Sequence, residues 1–399
     1  MTHPPRDVRR REIGGQDRLD RRLGAPPPPP SPLAWLLSLL RTRSALGMAP
    51  SLTPAVIFLP LGALLGPRGL GLLSARMLER LDLVVAVALT VLGVLVGVAL
   101  GREIRSARRL FVAASLESFV TIVTVTVATI YFVNATAVPI GAPLVVFALA
   151  LGLSASASSA TSADPDFEPA AAVATRVADL DDVLPIVIAV AAFALLPAAP
   201  PQDLWLLAAA PIGVGAAVGA IGWLLFERAE STAERAVFVL GALALAGGAA
   251  AYLGVSPLAI GLVAGLTWTI LPGRADRIVQ DDLLKVQHPL VVLLLVTAGA
   301  MATPSVAAAW LLAPYLLCRL AGKTLGAWFS ARLVDVRPAD LASYLMPPGV
   351  LALAFALNFR QALGGPAGDL LLSTVAIGTA AFELFALAVL PHWRRGATV

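Results

Sequence analysis

Charge is scarce in this chain, and lysine is scarcer still. Only 14% of the 399 residues are charged, against 58% hydrophobic, whereas soluble globular chains carry about a quarter charged residues. Apolar runs recur along nearly the whole length. Together these exclude a soluble domain, tethered or free, and leave an integral membrane protein. A single cysteine, Cys318, excludes an internal disulfide framework. His3, His288 and His392 are the only histidines and lack metal-ligand spacing, so neither a metal nor another cofactor is expected. The net charge of +4 does not point to nucleic acid, because the basic residues gather at the ends of apolar runs. What is abundant is Ala, Leu, Val and 33 glycines, a composition for closely packed helices rather than a β-barrel.

Residues 1–32 are polar and arginine-rich and end in the run Pro26–Pro30. They lack the pattern of a signal peptide and read as a disordered, basic cytoplasmic tail. Residues 32–46 are too short and too basic to span, and read as an interfacial helix. From there about twelve stretches are long enough to cross a bilayer: 51–66, 80–100, 110–133, 140–162, 171–196, 203–226, 234–252, 254–272, 284–302, 305–332, 339–360 and 367–391. Alternate connections are basic, with Arg102, Arg105, Arg108 and Arg109 in one, and Arg332 with Arg337 in another. Those between, such as 133–139 and 197–202, carry no Arg or Lys. Positive loops inside put both termini in the cytoplasm of a multi-pass protein of the cell membrane; Arg68, Arg76 and Arg360 depart from the pattern.

Asp181 and Asp182 lie inside the apolar run Ala170–Ala199. About fifteen ångströms of helix precede Asp182, which puts the pair near mid-bilayer. One carboxylate there costs on the order of 3 kcal/mol on insertion scales, so a pair persists where it meets water, an ion or an opposite charge. A carboxylate of this kind can hold a proton or a hard monovalent cation in turn. On a continuous helix Asp179 and Asp182 share a face and Asp181 turns about 100° away. The acidic run also matches a motif of some terpene cyclases, but no second Asp-rich motif accompanies it.

Of 29 Lys and Arg residues two are lysines, and Lys323 is the one within an apolar span, with Arg319 a turn before it. It needs a partner, and Asp181 or Asp182 is the natural candidate; the alternative is snorkelling to the cytoplasmic surface. Glu117 and Glu383 also fall within spans and, with Asp179 and Arg319, are supporting charges. Two spans are interrupted. Ser154, Ser156, Ser158, Ser159 and Thr161 replace bulky residues in one, as cation ligands or as small packing residues. Pro347, Pro348 and Gly349 break another, as helices do where they line a transport site.

These residues resemble the monovalent cation:proton antiporters, the broad group that includes bacterial sodium/proton antiporters, over about Pro54 to Pro391. Similar to the family are LDDVLPIVI at 180–188, HPLVVLLLVTAGA at 288–300, RLAGKTLGAWFSARL at 319–333 and ELFALAVLP at 383–391. The resemblance implies an all-α fold of about twelve transmembrane helices, with inverted repeats and two crossed, broken helices. It implies a transmembrane domain over 33–399, with core helices at 110–196 and 305–391 and dimerisation helices at 51–100 and 203–302. Asp182 would carry the ion, Asp181 would pair with Lys323, and the serine-rich stretch would cross the broken helix. A homodimer in the lipid bilayer, exchanging H⁺ for Na⁺, Li⁺ or K⁺, would follow, and not an enzyme. The chain departs from many relatives in having Pro348 where they have arginine, and serines where some have threonine-aspartate. The competing readings are sodium-coupled symport of an organic anion and, further off, a membrane enzyme using the aspartates.

Overall fold

Interruptions, more than lengths, distinguish the helices of this protein. The computed structural model describes residues 54–103, 108–159, 169–196, 204–273 and 275–396. The arginine-rich tail, the 32–46 segment and Thr161 lie outside the described residues. Among those described there are fourteen helices and no strand: α1 (Pro54–Leu65), α2 (Ala75–Glu103), α3 (Arg108–Thr136), α4 (Leu144–Ser156), α5 (Pro169–Leu180), α6 (Val183–Ala194), α7 (Leu204–Arg228), α8 (Thr232–Leu253), α9 (Pro257–Ile270), α10 (Ala275–Met301), α11 (Val306–Val334), α12 (Pro338–Leu345), α13 (Val350–Leu363) and α14 (Gly365–Gly396).

Each of the twelve stretches expected to span is occupied by one helix or by a broken pair. Among the described residues seven helices are long and apolar enough to cross a membrane singly, or eight if α12 and α13, bent by 54° at their break, count as one span. Helices α1, α4 and α9 are apolar but shorter. The two neighbours α8 and α9, barely separated in sequence, are divided by Gly254, whose φ of 66° closes α8 in the left-handed region. Ser256 then starts α9, its hydroxyl accepting from the Ala259 N–H at 3.4 Å, with Pro257 in the first turn.

Packing runs through glycine. Gly93 and Gly97 on α2 face the Leu258 and Leu262 carbonyls of α9, while Gly261 and Gly265 of α9 face the Thr90 and Val94 carbonyls of α2. At each of these four positions an added Cβ would fall well inside van der Waals distance of backbone oxygen on the other helix. The two backbones therefore touch, the arrangement small residues permit where no hydrophobic effect drives helices together. Because the obstructing atoms are backbone, no rotamer change can make room. Gly261→Val is accordingly expected to destabilise the protein by about 3 kcal/mol or more, at the upper end of overpacking effects. A lower thermal midpoint and loss of the monodisperse peak in detergent would register it.

The same device joins α3 to α11. An added Cβ at Gly322 would press on Thr121, and one at Gly326 on the Glu117 backbone, while the Ser330 hydroxyl donates to the Ala113 carbonyl at 2.7 Å. This close pair presents Glu117, Arg319 and Lys323, all fully buried, to the centre of the molecule. At one end of the bundle, Arg102 of α2 pairs with Asp276 of α10 at 3.2 Å and Arg176 of α5 with Glu103 of α2 at 2.5 Å. The C-terminal end of α2 and the N-terminal end of α10 thus lie at one face, as the alternation of basic loops requires.

Candidate functional site

A helix that should run straight through the aspartate pair instead stops there. Helix α5 ends at Leu180 and α6 begins at Val183, with Asp181 and Asp182 between them. Pro185 explains the break: it has no N–H to give to the carbonyl four residues back, which belongs to Asp181. The helices resume on either side of it: the Asp181 N–H reaches the Val177 carbonyl at 2.9 Å and the Ile186 N–H reaches that of Asp182 at 3.1 Å. The freed Asp181 carbonyl accepts instead from the Ser118 hydroxyl of α3, at 2.5 Å. Asp181 and Asp182 are both buried, at 0% and 3% exposure. Asp179, expected on the face of Asp182, is exposed; the break removes the continuous register on which that expectation rested.

The two interrupted spans meet beside this pair. Helix α4 stops at Ser156 and the chain continues extended through Ala157. The Ser159 N–H donates to the Pro347 carbonyl at 2.9 Å, linking the two irregular segments directly. Gly349 lies where a Cβ would be 2.6 Å from the Ser158 carbonyl oxygen, so only glycine allows the crossing to be this close. Pro347 and Pro348 withhold the amides that would otherwise continue α12 into α13.

Helices that stop in an apolar interior leave carbonyls without partners. Arg319 takes up this role for both breaks at once. Its guanidinium donates to the Ala155 carbonyl, to that of Ala157 at 3.0 Å and to that of Met346 at 3.4 Å, while its Cζ lies 5.2 Å from the centre of the Phe382 ring. The planar fork suits several acceptors, as a lysine would not. The negative ends of two helix dipoles therefore converge on one positive charge. Glu383, the residue after Phe382, is buried on α14. Sequence reading put Arg319 no higher than a supporting charge, because backbone carbonyls leave no sequence signal.

One turn further along α11, the Lys323 ammonium is enclosed by four acceptors. It lies 3.0 Å from Glu117 Oε1 and 3.4 Å from Asp181 Oδ2. It also donates to the Ser158 hydroxyl at 2.5 Å and to the Ser156 carbonyl. Ser158 in turn donates to Asp181 Oδ2, and Thr121 donates to Glu117 Oε1 at 3.3 Å. The snorkelling alternative for Lys323 does not fit this burial. Of the serines named from sequence, Ser158 enters the network through its hydroxyl and Ser156 through its carbonyl. The hydroxyls of Ser154 and Ser156 return to carbonyls of their own helix, Ala150 at 2.9 Å and Leu153 at 2.8 Å, a common habit of serine in apolar helices.

Two buried oxygens in this cluster have no hydrogen-bond partner, Oδ1 of Asp181 and Oδ1 of Asp182. Buried carboxylate oxygens are rarely left so. Two unsatisfied oxygens on adjacent residues offer the hard donors that a proton or a small monovalent cation takes. Glu117, Ser118, Asp181, Asp182, Ser158, Arg319 and Lys323 thus come from four segments of chain to one buried centre.

No family model matches the sequence, and no curated protein matches it. In three dimensions the chain is similar to the sodium proton antiporter MjNhaP1 from Methanocaldococcus jannaschii at pH 8, with a TM-score of 0.59. The similarity covers 85% of this chain and 90% of that one, at 18% sequence identity. The protein is an all-α, multi-pass membrane protein with the fold of that antiporter.

Proposed function

We propose that the protein exchanges a monovalent cation for protons across the cell membrane by alternating access. The observation that carries this reading is the buried Asp182 carboxylate at a helix break, with an oxygen that no protein group satisfies. Beside it, Asp181 is tied to Lys323 and Ser158. Asp182 binds a proton when the site meets the proton-rich side; on the other side the proton leaves to water and Na⁺, Li⁺ or K⁺ takes its place on the carboxylate. Asp181 contributes a second oxygen to the cation once it turns from the lysine. The likeness in fold to a sodium proton antiporter supports the same reading.

Alternating access needs two bodies that move past one another. In this proposal α3–α6 and α11–α14 form the moving core, and α1, α2 and α7–α10 the scaffold through which two copies pair. Between α2, α8 and α9 on one side and α6 and α13 on the other lies a cavity of about 270 Å³, lined in part by Asp82, Phe193, Gly254 and Asn358. A boundary between bodies that slide is where such space is expected. Both termini face the cytoplasm, following the basic loops.

The test is proton movement in vesicles reconstituted with the full chain and loaded with a pH dye. Adding Na⁺, Li⁺ or K⁺ to the outside should move protons, with choline inert, and the cation giving half-maximal response at the lowest concentration is the physiological one. Vesicles holding folded protein that respond to none of the three would overturn antiport.

A further inference from the structure

Lys323 has more acceptors than it has protons to donate. An ammonium carries three N–H donors, and four groups lie within reach: Glu117 at 3.0 Å, the Ser158 hydroxyl at 2.5 Å, the Ser156 carbonyl, and Asp181 at 3.4 Å. The most distant is Asp181. If Asp181 turns away, every N–H of Lys323 keeps a partner, and one of those partners is still a carboxylate. Glu117 has no comparable freedom, because α3 and α11 are held together by Gly322, Gly326 and Ser330, so its backbone moves with that of Lys323.

We infer that Glu117 is the permanent partner of Lys323 and keeps it charged through the whole transport cycle, so that exchange is one proton for one cation. This rests on the antiport reading above and decides a matter that reading leaves open, whether the lysine also gives up a proton. The other charges of the centre do not alter the balance. Arg319 stays bound to the carbonyls of the two broken helices, and the charge of Glu383, buried on α14, bears on Arg319. Asp181 exchanges a lysine contact for a cation contact and keeps its charge. What changes is Asp182, which holds a proton on one half of the cycle and a cation on the other. Proton and cation each bring one positive charge to the same carboxylate, so no net charge crosses.

Glu117 is a positioning residue, acting through Lys323, and its removal changes the stoichiometry rather than merely the rate. In Glu117→Gln the lysine faces only Asp181 as a carboxylate. When Asp181 turns to the cation the ammonium is left without a counter-charge, and it gives its proton to water on the open side. Two protons then move per cation and one net charge crosses. The readout is the steady-state Na⁺ or Li⁺ ratio across vesicles buffered to equal pH on both sides, under a potential set by K⁺ and valinomycin, which for each net charge moved shifts about fifty-fold per 100 mV. The wild-type ratio should be indifferent to potential; that of E117Q should follow it; E117D, which restores a carboxylate, should return to indifference.

The outcomes separate the two readings. Wild type that moves no protons with any cation ends the antiport proposal itself. Wild type that exchanges, but whose ratio follows the potential, leaves antiport standing and overturns this inference. So does a folded E117Q that remains indifferent to potential, or one that exchanges nothing, since the inference requires exchange to continue at altered stoichiometry.

Discussion

Replacing Asp182 by asparagine is expected to abolish cation-driven proton movement while leaving the protein folded. The substitution preserves shape and removes only the ability to gain and lose a proton and to carry charge. In the proposed cycle no other group substitutes for it, because Asp181 keeps its charge throughout, paired with Lys323 on one half and turned to the cation on the other. Flux should therefore fall about a hundred-fold or more, comparable to the loss of an essential proton-transfer group. Stability should move the other way or not at all. Asp182 Oδ1 is buried and unpartnered, and a buried charge without a partner is a burden on the folded state. Vesicle flux together with the thermal midpoint in detergent makes the check. Exchange by D182N at the wild-type rate would remove Asp182 from the mechanism.

Arg319→Met should produce the opposite pattern, a failure of folding first and of transport in consequence. Methionine keeps an unbranched apolar stem but is shorter than arginine and offers no donor. Three interactions with carbonyls, at Ala155, Ala157 and Met346, are lost together. Each buried acceptor left unsatisfied costs about 1–3 kcal/mol, so a total of about 3 kcal/mol or more is expected even if one of them finds water. Arg319→Lys should recover part of this, because an ammonium supplies the charge but not the flat fork that reaches both breaks. The order of thermal midpoints, D182N at or above wild type, then R319K, then R319M, tests whether Arg319 is the tie between α4 and α12. If R319M melts with wild type, the carbonyls are satisfied by something else and the tie is elsewhere.

These contrasting expectations follow from how differently the parts of the site are written in the sequence. Spans announce themselves by apolar length, and the break at Pro347-Pro348-Gly349 by its residue types. Asp181, Asp182 and Lys323 stand out because charge is so rare around them. The break at the aspartates was also legible, in Pro185 four residues beyond Asp181, but the apolar run around it concealed the missing hydrogen bond. Glu117 could be named as a buried acid and not as the partner of a lysine 206 residues away, a pairing that only the closeness of α3 and α11 creates. Ser154 and Ser156 misdirect, since a hydroxyl that bonds its own helix looks no different in sequence from one that binds an ion. Arg319 is the extreme case: its acceptors are backbone atoms, present at every position and marked at none.

The burial of two cations on α11 also bears on how the chain is made. Helix α11 is the least apolar of the long spanning helices, and each cation near its centre opposes insertion by about 3 kcal/mol on translocon scales. Its counter-charges, Glu117 on α3 and Asp181 after α5, are synthesised well over a hundred residues earlier. Those acids are therefore made, and their helices completed, before the lysine that pairs with them exists. Helix α11 is long and apolar enough to span by itself but is the weakest of its class, and docking against α3 brings Glu117 to Lys323. The buried charge centre is therefore completed only once α11 has been made, whatever the order in which the helices enter the bilayer.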